Sequence, residues 1–142
     1  EKLNAPIAII DKRRPRPNEA EVFAIVGDVK DKNCIIVDDI VDTAGTLCIA
    51  AEKLKSLGAK HVYAAISHGV LSDPAIDRIN NSSLEKLVIT DTIPLIESKK
   101  SDKIEVLSMA ELFSRIILAL EQGKSLSAVH KSFANEHYNK NK

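Results

Sequence analysis

Ile35-Ile36-Val37-Asp38-Asp39-Ile40-Val41-Asp42-Thr43-Ala44-Gly45-Thr46-Leu47 passes from aliphatic residues through two adjacent carboxylates into small and hydroxyl-bearing ones. Apolar residues then recur at helical spacing, at Leu47, Ala50, Ala51, Leu54 and Leu57, until Gly58 stops the pattern. The aliphatic run reads as a buried strand of a parallel sheet. Thr43 to Thr46 stand at that strand's C-terminal end and lead into a helix N-terminus. Backbone N–H groups without helical partners, together with the helix dipole, favour a phosphate there. Gly45 lacks a Cβ, so its backbone can come close to an anion. Thr43 and Thr46 add hydroxyl donors. When ionised, Asp38 and Asp39 act only as hydrogen-bond acceptors, which suits ribose hydroxyls or a metal's water shell. An acidic pair alone equally well favours a helix start; the complete string is what points to a sugar phosphate.

Outward from this stretch, strand and helix patterns alternate. Val22 to Val26 is a short apolar stretch that suits a flap strand. Gly27-Asp28 and Lys30 to Asn33 form a turn. His61 to Ser67, Lys86 to Thr90 and Ile104 to Leu107 read as strands. Asp73-Pro74 opens a helix through about Ile79, with Asp73 as the N-cap. Met109 to Leu120 is an amphipathic helix with Gly123 after it, and Asn135 to Lys142 reads as a frayed polar tail. The alternation implies an α/β fold, a single parallel-sheet domain whose ligands bind beyond the strands' C-terminal ends.

Ahead of the first stretch, Ala5-Pro6-Ile7-Ala8-Ile9-Ile10 runs into Asp11-Lys12-Arg13-Arg14-Pro15-Arg16-Pro17. Prolines bias their surroundings away from helix, so the basic cluster lies on a loop. Such a cluster ordinarily forms a solvated face or a nucleic-acid patch. The formal net charge of +0 leaves no basic excess to extend a patch for nucleic acid. Cations beside a phosphate cradle better suit a compact, highly charged substrate, because phosphoryl-type transfer is catalysed by positioning and charge neutralisation.

Together these segments resemble the ribose-phosphate pyrophosphokinases, also called phosphoribosyl pyrophosphate synthetases, through to about Ser127. Ile10 to Pro15, Asp38 to Thr46, Ser67-His68-Gly69-Val70-Leu71-Ser72, Pro74-Ala75 and Arg78-Ile79 carry the resemblance. It implies a type I phosphoribosyltransferase-like fold over residues 1–128, followed by a polar tail over 129–142. It also implies transfer of the β,γ-pyrophosphoryl group of ATP to ribose 5-phosphate, giving phosphoribosyl pyrophosphate and AMP with Mg2+ as cofactor. Lys12 and Arg14 would neutralise charge on the transferring group. Asp38, with Asp39, would hold ribose hydroxyls; Asp42, Thr43, Ala44, Gly45 and Thr46 would wrap the 5-phosphate. Asp42, anionic beside an anion, would shape the loop or act through water or metal. His68, Ser125 and Ser127 would belong to control by ADP or phosphate, although Asp73 replaces a frequent glycine of the family and puts that control in doubt. The Mg2+-binding histidine and adenine-binding segment of the family belong to an N-terminal domain that this reading expects to be absent. The chain is then a C-terminal half that should not complete the reaction by itself, from an enzyme expected to form a homo-oligomer, a hexamer at full length.

Composition agrees. The 142 residues suit one domain, with 44% hydrophobic and 28% charged residues. Aromatics are 4%, so the core must be aliphatic. No run approaches the roughly 20 apolar residues that span a bilayer. Cys34 and Cys48 have no metal-like spacing with histidine and read as small buried residues, consistent with the cytoplasm. His61, His130 and His137 read as surface residues. Two alternatives stand beside the main reading. One is a non-catalytic regulatory relative, which retention of Lys12, Arg14 and the acidic loop argues against. The other is a nucleobase phosphoribosyltransferase, which would need an aromatic-rich hood that this chain does not show.

Overall fold

The computed structural model describes residues 5–13 and 22–140, and the chain divides into two units after Leu107. In the first unit, β1 (Ile9–Arg13) and β2 (Val22–Val26) form an antiparallel pair with Lys12 opposite Phe23. Ile10 and Ile25 of this hairpin pack against the main core. A separate four-stranded sheet follows, made of β3 (Asn33–Val41), β4 (His61–Gly69), β5 (Lys86–Thr90) and β6 (Ile104–Leu107). The strands lie side by side in chain order and every pair is parallel. Helix α1 (Gly45–Ser56) follows β3 and α2 (Ala75–Asn81) follows β4; a 3₁₀ turn, Glu97–Lys99, precedes β6.

The core is aliphatic, as the shortage of aromatics requires. Val62, Ala64 and Ile66 alternate along β4, and Leu87 and Ile89 along β5, all within 4% of full burial. They meet Leu47, Ala51 and Leu54 of α1 and Ala75 and Ile79 of α2. The period of 2 on the sheet and the 3.6-residue period on α1 therefore converge on one interior. Gly58, at φ +91, ends α1 in a backbone region that glycine adopts without penalty.

Three expectations require correction. β3 is an edge strand, not a buried one: Ile35 is 60% exposed and Val37 77%. Its aliphatic run suits either location, and strand order, not local sequence, decides which. Asp73 does not cap α2; Pro74 occupies the N-cap at φ −99, ψ 46, so the helix starts one residue later and no side chain caps it. Asn135 to Lys140, expected within a frayed tail, are instead the latter part of α4 (Leu126–Lys140); residues 141 and 142 lie outside the described residues.

In the second unit, α3 (Ala110–Glu121) and α4 are tied by Arg115. Its guanidinium donates from Nη1 and Nη2 to the two carboxylate oxygens of Glu136, at 3.0 and 2.8 Å, and from Nη2 to Glu111 at 2.6 Å. It also lies 5.5 Å from the Phe133 ring centre. This forked pairing and cation–π contact anchor a polar segment whose composition alone suggests fraying. His137 Nδ1 sits 2.9 Å from the Phe133 carbonyl.

One packing prediction arises here. A Cβ on Gly69, at the end of β4, would stand 2.7 Å from Cδ1 and 3.3 Å from Cγ2 of Ile89, itself 1% exposed. Gly69→Ala should lower unfolding free energy by about 1–3 kcal/mol through overpacking. Denaturant unfolding measures it, and an unchanged midpoint would show that Ile89 has room to move.

Candidate functional site

The acidic loop emerges where a parallel sheet presents ligands, at the C-terminal end of β3. Asp38 and Asp39 are the sixth and seventh residues of the strand and both are exposed. Asp38 Oδ1 accepts the Asp39 N–H at 2.9 Å, which leaves its other oxygen directed away from that bond. Asp42 and Thr43 are exposed, whereas Ala44 is 4% exposed and seats the loop on the core. Val41 closes the base: its carbonyl accepts N–H bonds from Val70 and Leu71, at 3.0 and 3.3 Å.

Ala44 is the N-cap of α1 and adopts the left-handed conformation, φ 58 and ψ 6. The first α1 bond runs from Cys48 N–H to Ala44 O at 3.0 Å. No side chain caps this terminus, and its first turn holds no acidic residue. A left-handed residue followed by helix turns successive N–H groups toward one side, a concavity suited to an anion. Asp42 through Thr46 are thus contiguous around the start of α1, as the sequence suggests.

Gly45 has Arg78 as its neighbour across the loop. A Cβ there would meet Arg78 Nη1 at 3.4 Å, Arg78 Cζ at 3.9 Å and Thr43 Oγ1 at 3.9 Å. The guanidinium thus lies beside Gly45, where a single added carbon would make ordinary contacts and a branched side chain would not fit without displacing it. Arg78 Nη1 donates to the Thr43 carbonyl at 2.9 Å. No local pattern around Arg78 signals this contact, which spans 35 positions of the chain.

His68 lies at the end of β4, in register with Ile40. Its Nδ1 is 2.8 Å from the Thr92 hydroxyl, which is 2.8 Å from the Thr90 hydroxyl; both threonines donate toward the Ser67 carbonyl, at 3.2 and 2.6 Å. The Thr90 and Thr92 hydroxyls were not foreseen, although Thr-x-Thr after a strand was a visible signal. Ser125 and Ser127, in the second unit, have hydroxyls 2.9 Å apart at the start of α4. Asp11, Lys12 and Arg13 lie on β1 and not on the expected loop, because their backbone pairs with β2; the Lys12 side chain is outside the described residues, and Arg14 is outside them altogether. Both cysteines are free, and burial raises both thiol pKa values. His61 pairs with Glu85 at 3.0 Å, a hydrogen bond that lowers the Glu85 pKa.

Among the described residues no three His, Cys, Asp or Glu side chains converge as a metal cage. The exposed oxygens of Asp38 and Asp39 are nevertheless the donor type magnesium takes. That ion is commonly held by one or two carboxylates, waters and substrate phosphates together. No helix among the described residues is long and apolar enough to cross a membrane.

The parallel sheet, with its acidic strand end and the uncapped start of α1 beside it, belongs to the phosphoribosyltransferase fold class, as a solved relative bears out. The crystal structure of phosphoribosylpyrophosphate synthetase from Mycobacterium smegmatis is similar, with a TM-score of 0.75 and 40% identity, over 83% of this chain and 37% of that one. Residues 5–131 match the phosphoribosyl synthetase-associated domain, and the chain belongs to that family. It is 60% identical over 127 residues to the ribose-phosphate pyrophosphokinase of Caldanaerobacter subterraneus subsp. tengcongensis, covering 89% of this chain and 40% of the relative. Ribose-phosphate pyrophosphokinase 1 of Lactococcus lactis subsp. lactis is 54% identical over 125 residues, or 88% of this chain and 39% of the relative. The chain spans about two fifths of the length of these relatives.

Proposed function

We propose that this chain supplies the ribose 5-phosphate site of a ribose-phosphate pyrophosphokinase. The observation that carries the reading is the uncapped α1 terminus behind left-handed Ala44, directly after the Asp38-Asp39 strand end. The 5-phosphate takes the N–H groups and hydroxyls of residues 43–46, while Asp38 and Asp39 accept from ribose hydroxyls. The anomeric oxygen is thereby held for attack on the β-phosphorus of ATP. The bond from that phosphorus to the α-phosphate's bridging oxygen breaks, and AMP leaves. Lys12 and Arg14 neutralise charge on the pyrophosphoryl group as it moves. Magnesium, when bound, offsets phosphate charge, and Asp38 and Asp39 are the residues that would hold its water shell. ATP recognition falls to the length of the relatives that this chain does not span.

In the same reading the whole enzyme is a cytoplasmic homo-oligomer. ADP or phosphate control would involve His68 and, separately, Ser125 and Ser127. The free cysteines agree with a reducing compartment.

Calorimetric titration of ribose 5-phosphate into the chain with Mg2+, with ribose as the comparison, tests the site. Saturable binding of the phosphate ester, with none of ribose, is expected. Equal binding of both, or of neither by a folded chain, would remove the phosphate cradle.

A further inference from the structure

Arg78 reaches the phosphate loop from α2, 35 positions along the chain, and stands outside the set of residues so far given a task. We propose that Arg78 is a positioning residue of this loop, acting through the Thr43 carbonyl and not on the ligand itself. The inference rests on the phosphate-binding reading of residues 43–46 and adds the device that shapes them.

The peptide plane supplies the first step. Across a trans peptide the carbonyl and the following N–H point in opposite directions. Arg78 Nη1 holds the Thr43 carbonyl at 2.9 Å and so turns the Ala44 N–H to the opposite side of the chain. Ala44 then sits at φ 58, ψ 6, a left-handed region that alanine occupies only when its surroundings impose it. Helical residues follow at once from Gly45, and this left-to-right sequence makes neighbouring N–H groups converge. No side-chain cap competes for the terminus.

The second step is the seating of the guanidinium. A Cβ on Gly45 would lie 3.4 Å from Nη1 and 3.9 Å from Cζ, so the guanidinium stands next to Gly45 with space between them for no more than a single carbon. The base of the arm is fixed as well. The Arg78 N–H donates to the Pro74 carbonyl at 3.1 Å, and the adjacent Ile79 is fully enclosed in the core. A planar fork on a rooted helix can hold one carbonyl in one direction, which a flexible ammonium does poorly.

The test compares the full chain with Arg78→Gln, Arg78→Lys and the double variant Arg78→Gln/Ala44→Gly. Two readouts are taken: affinity for ribose 5-phosphate, and the amide shift and three-bond coupling of residue 44 without ligand. Loss of a charge-assisted hydrogen bond should weaken binding about tenfold in Arg78→Gln, with the residue 44 signals displaced. Glycine enters the left-handed region freely, so adding Ala44→Gly should recover most of the affinity. Wild-type affinity and unchanged residue 44 signals in Arg78→Gln would overturn the proposal. So would full affinity in Arg78→Lys with no recovery in the double variant, because the charge would then act on the ligand directly. If the unaltered chain binds no ribose 5-phosphate, the phosphate-binding reading fails. The ligand-free signals of Arg78→Gln still decide whether Arg78 sets the loop, with unchanged signals overturning it.

Discussion

Under the proposed function, Lys12→Ala in the whole enzyme should lower turnover by about a thousandfold while leaving ribose 5-phosphate affinity nearly intact. The pyrophosphoryl group carries several negative charges through its transfer, and such chemistry depends on cations placed where charge accumulates. A lysine is a compact point charge that alanine cannot replace. The backbone at position 12 is strand, opposite Phe23 in an antiparallel pair, and alanine accepts that geometry. The loss is therefore one of chemistry and not of fold. Ribose 5-phosphate binding should be spared, because the cradle proposed for it lies at the end of β3 and the start of α1. Steady-state kinetics with each substrate varied, beside direct binding of ribose 5-phosphate, measures the split. Near-normal turnover would take Lys12 out of the transfer step, and a parallel collapse of sugar-phosphate binding would make its role structural.

Gly45→Val should weaken ribose 5-phosphate binding by about a hundredfold or more, the scale of a misplaced binding group. Valine brings a branched Cβ into a place where even a single carbon meets Nη1 of Arg78 at 3.4 Å and the Thr43 hydroxyl at 3.9 Å. Its two methyl groups push the guanidinium off the Thr43 carbonyl and crowd the concavity. Gly45→Ala provides the graded comparison. A lone Cβ at 3.4–3.9 Å makes ordinary contacts, so alanine should lose far less. Calorimetry on the three proteins measures the series. Equal losses for alanine and valine would mean that the backbone at 45 needs glycine for another reason. No loss for valine would remove the close-packed loop from the binding step.

Strand and helix limits near the site were legible because each rests on local pattern. Lys86–Thr90 and Ile104–Leu107 coincide with β5 and β6, and α1 follows the spacing of Leu47, Ala50, Ala51 and Leu54. Such elements announce themselves through period and punctuation. Asp73 illustrates the limit of that approach. Its residue type suits a cap, yet Pro74 lies outside helical space and moves the helix start beyond its reach. α4 illustrates another, since Glu136 and Phe133 acquire their value only when Arg115 of α3 is beside them.

By itself, the sequence determined the parallel α/β class and the placing of Asp38 to Thr46 across a strand end and a helix start. These depend on residues adjacent in the chain, where a strand end, a small-residue turn and a helix start must be neighbours. Only the tertiary structure decided that β3 lies at the sheet edge with Val37 exposed, that Ala44 is left-handed, and that Arg78 closes on Thr43. Strand order, backbone handedness and a hydrogen bond across 35 positions are set by how distant segments pack, and local periodicity contains no term for any of them.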